Sequence, residues 1–271
     1  MPNNMSLKPT YQLSILNLII VLIFTFLLIL TLFTSISSKL YSKESNLNHK
    51  NFLNHIIDLE KHDLRFYYQK ENGEIIRNFK RLKSYLDSLG KKLVFAVNGG
   101  MYDKGFTPHG LYIENGKVIK ELDTIQEAYG NFYNQPNGVF FITWDNNAYV
   151  ETSDKIKEFS LIKYATQSGP MLVINGSIHQ NLEASSKSIN KRNGVGILPS
   201  GKIIFVMTKK RMNLYDFAKY FKDIGCKNAL YLDGFVSKTY KPEKGFNHLI
   251  ENFAILIAQI KDKNVKSNKK N

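Results

Sequence analysis

Short runs of alternating apolar and polar residues recur along most of the chain and predict a protein built mainly from β-strands. Successive side chains of a strand point to opposite faces, so a half-buried strand alternates with a period of two. The runs are LRFYYQ, KLVFAV, GLYIENGKVI, GVFFITWDNNAYV, PMLVINGSIH, GVGILPSGKIIFVM, NALYL and FAILIAQI. Four pairs are suited to two-residue turns: Asn115-Gly116, Asn146-Asn147, Asn175-Gly176 and Ser200-Gly201. We therefore expect several β-hairpins.

Two segments depart from this alternation and predict amphipathic helices. The first runs from Ile76 to Gly90, with apolar side chains recurring every three to four residues. The second begins after Asn213, a suitable N-cap residue, and continues to Gly225. Glycine is common just after the last turn of a helix, because it adopts a left-handed conformation without strain. We expect each helix to lie with its apolar side on a sheet.

Both helices are followed by a glycine, a strand, and then a polar residue with another glycine. The first unit ends at Asn98-Gly99 and the second at Asp233-Gly234. If the two strands are parallel neighbours in one sheet, Asn98 and Asp233 lie at the same edge, where loops can approach a ligand. This arrangement indicates a site, although two short matches do not establish a repeat.

Asp233 allows two interpretations that the local sequence leaves open. In NALYLDGFVSKTY it stands where an apolar strand ends, and Asp-Gly is also a strong signal for a hairpin turn. The carboxylate is therefore either a turn residue or a chemical group placed at the end of a strand. Only other parts of the chain can favour the second interpretation.

An uninterrupted apolar run, ILNLIIVLIFTFLLILTLF, occupies residues 15–33 between Lys8 and Lys39. At about 1.5 Å per residue it is long enough to cross the hydrocarbon core of a bilayer. It predicts a retained transmembrane anchor, because it exceeds the usual apolar length of a signal peptide and no A-x-A-like cleavage site follows it. A cleaved signal peptide is the alternative. Lysines flank the run on both sides, so charge does not set its orientation.

The chain after residue 36 divides into a linker, one domain and a tail. Residues 37–51 are polar and without periodicity, which predicts a linker between the N-terminal segment, residues 1–36, and the folded part. The folded domain is expected to span residues 52–260. Residues 261–271, KDKNVKSNKKN, are strongly basic and predict a disordered tail.

Charge and cysteine content narrow the classes of function. The formal net charge is +14, but the first 52 residues hold four lysines against one glutamate, and the tail holds five against one aspartate. The remaining excess is spread through the domain without an arginine-rich helix, so we expect a solvated basic surface and no nucleic-acid partner. Cys226 is the sole cysteine, which excludes an intrachain disulfide, and its place before a strand predicts a buried, inert thiol.

Four polar, glycine-containing stretches interrupt the strand pattern. They are VNGGMYDKGFTPHG at 97–110, TQSGPMLVINGSIH at 166–179, KRNGVGIL at 191–198 and YLDG at 231–234. Taken together and in this order they resemble the phosphodiester glycosidase family, over most of residues 90–260. Strings such as NGGMY, SGPMLV, RNGVG and YLDG recur in its bacterial branch. The set is specific, whereas any one stretch alone would be a weak signal.

The resemblance implies an α+β fold with a large, curved and mostly antiparallel sheet, on which the two helices pack. It also implies hydrolysis of a glycosyl phosphodiester at the anomeric carbon of the sugar. The positions that match the family pattern are Asn98, Gly99, Gly100, His109, Gly110, Ser168, Gly169, Pro170, Arg192, Asn193, Asp233, Gly234 and Ser237. One departure is Phe235, which stands where the family commonly has a small residue.

Chemistry assigns distinct roles to the polar residues of this set. Breaking an acetal needs a carboxylate against the oxocarbenium-like transition state, and Asp233 is the expected base or nucleophile. Arg192 is the expected phosphate clamp, because a guanidinium binds phosphate through two parallel hydrogen bonds. His109 is the third catalytic candidate, for phosphate binding or proton transfer. The residues expected to bind substrate are Asn98, Gly99, Gly100, Ser168, Gly169, Asn193, Gly234 and Ser237.

Other interpretations are open at this stage. The glycines and His109 could serve turn geometry alone, and Arg192 could be a surface charge. The chain could then be a non-catalytic protein that binds a glycan or phosphate in exopolysaccharide assembly, or a membrane-tethered nucleic-acid binder. No HExxH, Walker or GxGxxG motif is present, so no metal or nucleotide cofactor is expected. The favoured function is a membrane-anchored, extracytoplasmic glycosidase that acts on envelope glycans.

Overall fold

The computed structural model describes residues 17–32, 35, 50–233 and 236–263. The chain divides into two compact units, residues 1–47 and residues 48–271, and residues 17–32 of the first unit are helical. Within the described residues, no helix is both long and apolar enough to cross a membrane. The anchor expected at residues 15–33 begins and ends outside the described helix, and it stays a prediction. Most of the expected linker and tail also lies outside the described residues.

In its described residues, the second unit consists mainly of short strands, with two α-helices. The strands are β1 (Phe52–Ile57), β2 (Asp63–Tyr67), β3 (Lys91–Asn98), β4 (Tyr102–Asp103), β5 (Thr107–Pro108), β6 (Tyr112–Glu114), β7 (Lys117–Lys120), β8 (Gly138–Thr143), β9 (Ala148–Thr152), β10 (Ile162–Ser168), β11 (Met171–Ile174), β12 (Ser177–Ile178), β13 (Asn193–Ile197), β14 (Ile203–Thr208), β15 (Ala229–Asp233), β16 (Thr239–Lys241), β17 (Phe246–Asn247) and β18 (Leu256–Asp262). The helices are α1 (Phe79–Ser88) and α2 (Leu214–Asp223).

The paired strands are antiparallel and form three larger sheets. Their strand orders are β1-β14-β13-β15-β11-β12, β7-β6-β10-β8-β9 and β17-β16-β3-β18-β2, and β4 pairs with β5 in a separate hairpin. The α+β class and the antiparallel pairing are confirmed. The expectation of one large sheet is wrong, because a strongly twisted sheet of this many strands splits into smaller packed sheets.

Aromatic side chains join the three sheets in one core. Phe66 of β2 lies 5.6 Å from Phe140 of β8, measured between ring centroids, and Phe140 lies 5.8 Å from Phe205 of β14. Phe95 of β3 lies 5.6 Å from Phe205, so the contacts return to the sheet in which they began. All four rings are buried. Because each ring comes from an alternating strand, the apolar faces of the sheets account for the core.

Both predicted helices are present, and one begins later than expected. The Asn213 side chain caps α2 by accepting a hydrogen bond from the backbone N–H of Asp216 at 2.8 Å, as the sequence predicts. Helix α1 begins at Phe79, not Ile76, and Asn78 is its N-cap. The reason is Arg77, whose φ of 68° is incompatible with a right-handed helix. Apolar side chains of α1 pack on β3 and β18, which confirms the expected sheet contact.

Hairpins form at all four predicted positions, but only Asn115-Gly116 and Asn175-Gly176 are two-residue turns, because the other two loops span residues 144–146 and 199–201. Among the strands longer than three residues, two were not predicted. Asn115 and Asn175 have φ of 50° and are each followed by a glycine with positive φ, as a type I′ turn requires. Strand β1 escapes the sequence pattern because Asn54 and His55 interrupt its apolar residues. Strand β10 escapes it because polar residues occupy buried positions. In β10 these are Thr166, Gln167 and Ser168, all without solvent exposure. Buried polar side chains of this kind need hydrogen-bond partners, and those of β10 lead to the candidate site.

Candidate functional site

Asn98 and Asp233 contact each other although their strands lie in different sheets. Asn98 ends β3 and Asp233 ends β15, and these strands are not neighbours in one sheet, which was the condition attached to a shared edge. Asn98 Nδ2 nevertheless donates a hydrogen bond to Asp233 Oδ2 at 3.0 Å. Asn193 pairs with Asp233 in register and also reaches Asn98, so it links the two sheets at this point. The expected meeting of the two polar strand ends is confirmed, through a different topology.

A hydrogen-bond network fixes the orientation of the Asp233 carboxylate. Asn98 Oδ1 accepts hydrogen bonds from Asn193 Nδ2 and from the backbone N–H of Lys238, both at 3.0 Å. Because this oxygen faces two donors, the Nδ2 group of Asn98 faces Asp233, and Asp233 Oδ2 is the acceptor. Ser237 Oγ donates to the backbone oxygen of Asp233 at 2.6 Å. Asp233 is 7% exposed, so the carboxylate is held firmly where little water reaches it.

Gly99 and Gly100 allow a close approach of strands beside this network. A Cβ atom on Gly99 would lie 2.6 Å from Ile255 Cγ2, and one on Gly100 would lie 2.9 Å from Thr166 Oγ1. The Thr166 hydroxyl in turn donates to the backbone oxygen of Gly99 at 2.9 Å. Both glycines therefore have a packing role at the end of β3. Their expected contact with substrate stays a prediction.

Ser168 and Gly169 support the other side of the site. Ser168 Oγ donates to the backbone oxygen of Leu232 at 2.9 Å and so holds β15 one residue before Asp233. A Cβ atom on Gly169 would lie 2.6 Å from the backbone oxygen of Phe132, which explains glycine at this position. From the sequence, this segment was expected to contribute Ser168 and Gly169 to substrate binding. In the structure its hydroxyl positions the strand that carries Asp233, and the substrate contact stays a prediction.

His109 lies in a polar cluster at the end of the β4–β5 hairpin. Its Nδ1 contacts Asp103 Oδ1 at 2.5 Å, and its Nε2 contacts the Tyr133 hydroxyl at 3.0 Å. Burial raises the pKa of Tyr133 to about 12, so this hydroxyl stays protonated. It donates a hydrogen bond to Asp123 Oδ2 at 2.9 Å. Both ring nitrogens of His109 are therefore engaged. Its expected part in phosphate binding or proton transfer stays a prediction.

Arg192 is buried, and protein acceptors surround its guanidinium. It is 1% exposed, and its Nη1 donates to the Tyr231 hydroxyl at 2.8 Å. Its Nε donates to Met212 O at 3.1 Å and its Nη2 donates to Ser188 O at 2.7 Å. No carboxylate of the described residues forms an ion pair with it. This geometry favours a structural role, and the phosphate clamp expected from the sequence stays a prediction.

Two tyrosines near Asp233 were not singled out by the sequence analysis. Burial raises the pKa of Tyr231 to about 12, and the Asp233 charge adds to the shift while Arg192 opposes it. Burial and the Asp233 charge also raise the pKa of Tyr102. Each tyrosine belongs to a motif already noted, NGGMY and YLDG. Its position two residues before Asp233 on a strand could have identified Tyr231, because such residues share a face.

The remaining features of the surface add no competing site. Gly234 and Phe235 lie outside the described residues, so the expected role of Gly234 stays a prediction. Among the described residues, a depression with a volume of about 760 Å³ lies beside Asn228, at the other end of β15. It is lined mainly by turn residues, and its buried Asn228 hydrogen-bonds to the backbone of Val150 and Asn175. The described residues also contain no cluster of His, Cys, Asp or Glu arranged to hold a metal ion. Geometry therefore favours the Asp233 end.

Comparison with known proteins identifies the family. The family model described as phosphodiester glycosidase matches residues 91–254, more than half of the chain. The chain belongs to the phosphodiester glycosidase family. The predicted site residues all fall within the matched range, and so do both tyrosines beside Asp233. Strands β1 and β2 and helix α1 precede this range.

Two individual proteins illustrate the relationship. An Escherichia coli (strain K12) protein named "Uncharacterized protein YigE" is 39% identical over 178 residues, which cover 65% of this chain and 69% of that protein. The solved structure of the catalytic domain of zebrafish N-acetylglucosamine-1-phosphodiester alpha-N-acetylglucosaminidase, auto-inhibited by pro-peptide, matches with a TM-score of 0.55. That match has 18% sequence identity and covers 78% of this chain and 84% of the zebrafish one. The structural likeness shows that this member of the family shares the fold.

Proposed function

We propose that this member of the phosphodiester glycosidase family is an active glycosidase that cleaves a sugar phosphodiester at the anomeric carbon. The observation that carries the proposal is the hydrogen bond from Asn98 to Asp233, within a buried network that fixes the carboxylate. A turn residue needs no such support from a second sheet. A reactive carboxylate does, because catalysis requires it to be oriented before the substrate arrives.

The proposed mechanism places Asp233 on the face of the anomeric carbon opposite the phosphate. As the phosphate leaves with the electron pair of the C1–O bond, positive charge develops on the sugar, and the carboxylate stabilises it. Asp233 either bonds to C1, and water later displaces it, or accepts the proton of a water that attacks C1. Both routes end in the free sugar and a phosphate monoester. Asn98 keeps one carboxylate oxygen in place during either route.

The leaving group explains why a single carboxylate suffices. A phosphate monoester has a second pKa of about 6, so it departs near neutral pH without a proton from the protein. Ordinary glycosidases need a second carboxyl group as a general acid because their leaving groups are poor. Within the described residues, the network around Asp233 contains amides and hydroxyls but no second carboxylate. This composition supports a substrate with an acidic leaving group.

A substrate panel tests the proposed function. The full chain is expected to hydrolyse sugar-1-phosphodiesters, including one of N-acetylglucosamine, about 10²-fold faster than neutral alkyl glycosides of the same sugars. The reason is that the alkyl glycosides need general-acid assistance, which is worth roughly that factor. The measurement is the release of reducing sugar and of phosphate monoester in equal amounts. No hydrolysis across the panel, or equal rates on both substrate types, would contradict the proposal.

We also propose that the domain is held at the outer face of a membrane by residues 15–33 and acts on envelope glycans. The support is the uncharged and mainly apolar sequence of this segment, flanked by lysines on both sides. The protein is then expected to stay in the membrane fraction after washing with high salt and with alkali. A soluble protein with a new N-terminus near residues 35–40 would show that the segment is a cleaved signal peptide instead.

A further inference from the structure

Arg77 and Phe106 have backbone conformations that are unusual for their residue types, and their side chains contact each other. Their φ angles are 68° and 63°. The other non-glycine residues with positive φ in the described chain are Asn115, Asn146 and Asn175, all in the loops of β-hairpins. Asparagine tolerates this region, whereas Arg and Phe lose about 1 kcal/mol or more there. Strain of this kind at two residues in contact is typical of functional sites.

The contact extends toward Asp233 through a second aromatic ring. The Arg77 guanidinium carbon lies 4.8 Å from the centroid of the Phe106 ring. Phe106 stacks on Tyr102 with 5.3 Å between ring centroids and 19° between ring planes. Tyr102 follows Asn98 by four residues, and Asn98 donates to Asp233 Oδ2 at 3.0 Å. Arg77, Phe106 and Tyr102 therefore form a continuous stack, called here the arginine stack, that leads to the candidate site.

Backbone contacts hold the arginine stack at the same edge as Asn98. The Arg77 carbonyl oxygen accepts a hydrogen bond from the backbone N–H of Phe253 at 2.6 Å. The Tyr102 hydroxyl donates to Asn252 O at 3.2 Å. Residues 252–253 lead directly into β18, which pairs with β3 as far as Asn98. The strained conformation is thus fixed by the strands that carry the site.

Arg77 is a cation at this edge whose charge is available. The guanidinium of Arg192 donates through all three nitrogens to protein acceptors. Lys238 forms an ion pair with Glu251 at 2.7 Å. Arg77 is partly exposed, and no residue that the structure describes accepts a hydrogen bond from its guanidinium or forms an ion pair with it. Stacking on Phe106 leaves the in-plane N–H groups of a guanidinium free to bind an anion.

We propose that Arg77 binds the phosphate group of the substrate, with Phe106 and Tyr102 as the residues that position it beside Asp233. A planar guanidinium offers two parallel N–H groups to two phosphate oxygens, which suits a phosphodiester monoanion. This assignment rests on the proposed function, because that function supplies the phosphodiester substrate. It gives the phosphate-binding role to Arg77 in place of Arg192.

The test compares the full chain with three variants. Arg77→Gln is expected to raise KM for a sugar-1-phosphodiester about 10- to 100-fold with little change in kcat, because it removes charge-assisted hydrogen bonds. Arg77→Lys keeps the charge but not the two-pronged geometry, so its KM is expected to rise about 3- to 10-fold. Arg81→Gln is the matched control, since Arg81 lies on α1 four residues further along and its side chain is 50% exposed. It should leave KM unchanged.

Binding of inorganic phosphate, measured by isothermal titration calorimetry, separates this proposal from the proposed function. We expect the wild-type chain to bind phosphate and Arg77→Gln to bind it at least 10-fold more weakly. If the wild-type chain hydrolyses no phosphodiester but binds phosphate, and Arg77→Gln loses this binding, the Arg77 site is upheld and the glycosidase activity is rejected. The Arg77 site would be overturned if the chain hydrolyses phosphodiesters and Arg77→Gln changes neither KM nor phosphate binding. It would also be overturned if the wild-type chain binds no phosphate. Thermal melting of each variant tests whether it is folded. If Arg77→Gln is unfolded, Arg77→Lys replaces it in both measurements.

Discussion

Replacing Asp233 by Asn is expected to lower the turnover of a sugar-1-phosphodiester by about 10³-fold or more, with little change in KM. Asparagine has nearly the same shape, and its side-chain oxygen can still accept the hydrogen bond from Asn98, so the network and the fold should persist. The variant lacks the negative charge that opposes the developing oxocarbenium ion and that bonds to C1 or deprotonates water. Initial rates over a range of substrate concentrations give kcat and KM separately.

Asp154→Asn is the control for this experiment. Asp154 is an exposed carboxylate in the turn that follows β9, in a different sheet from Asp233, and its replacement should leave both constants unchanged. Wild-type turnover in Asp233→Asn would return Asp233 to the role of a turn residue. If the wild-type chain binds a glycan or phosphate without hydrolysing it, and Asp233→Asn binds the same ligand equally well, the protein is a binding protein.

Arg192→Lys is expected to lower the free energy of unfolding by about 3 kcal/mol. A lysine ammonium cannot reach the three acceptors that the guanidinium satisfies, which are Met212 O, Ser188 O and the Tyr231 hydroxyl. At least one buried polar group would lose its partner, at a cost of about 1–3 kcal/mol for each group. The loss of the Arg192 contact with the Tyr231 ring adds to this. Urea denaturation followed by circular dichroism measures the difference.

Arg211→Lys provides the matched control, because Arg211 is exposed and precedes Met212. Its replacement should change the free energy of unfolding by no more than about 0.5 kcal/mol. A different result for Arg192→Lys would contradict the structural role. If Arg192→Lys unfolds at the wild-type urea concentration but no longer prefers phosphodiesters to neutral glycosides, Arg192 is the phosphate clamp that the sequence suggested, and the structural role is wrong.

Local features of the fold could be predicted because they depend on neighbouring residues. The turns at Asn115 and Asn175 need only an asparagine and a glycine that accept positive φ. The end of α1 depends on Gly90 and the cap of α2 on Asn213, and both follow from short-range backbone chemistry. Cys226 is buried and forms no disulfide, as its position before a strand indicated. These signals are complete within a few residues of sequence.

The assembly of the site could not be predicted to the same extent, because it depends on pairing between distant segments. Asn98 and Asp233 were expected at one edge, but their placement on separate sheets follows from strand order, which no local pattern records. Arg192 looks like a surface cation in KRNG, and only the tertiary structure shows that neutral acceptors enclose it. Arg77 was missed because the apolar pattern predicted a helix that begins at Ile76 and therefore includes Arg77. Its positive φ is a property of the folded backbone that the local sequence does not indicate.

The position of β1 has a consequence for where this protein can be cut. β1 precedes the range matched by the family, yet it pairs with β14 along the whole length of that strand, from Phe52 opposite Thr208 to Ile57 opposite Ile203. All six residues of β14 are buried. A fragment that began at residue 91 would expose the backbone N–H and C=O groups of an apolar strand, which form a template for intermolecular pairing. Solubility therefore depends on residues that carry no part of the family signature.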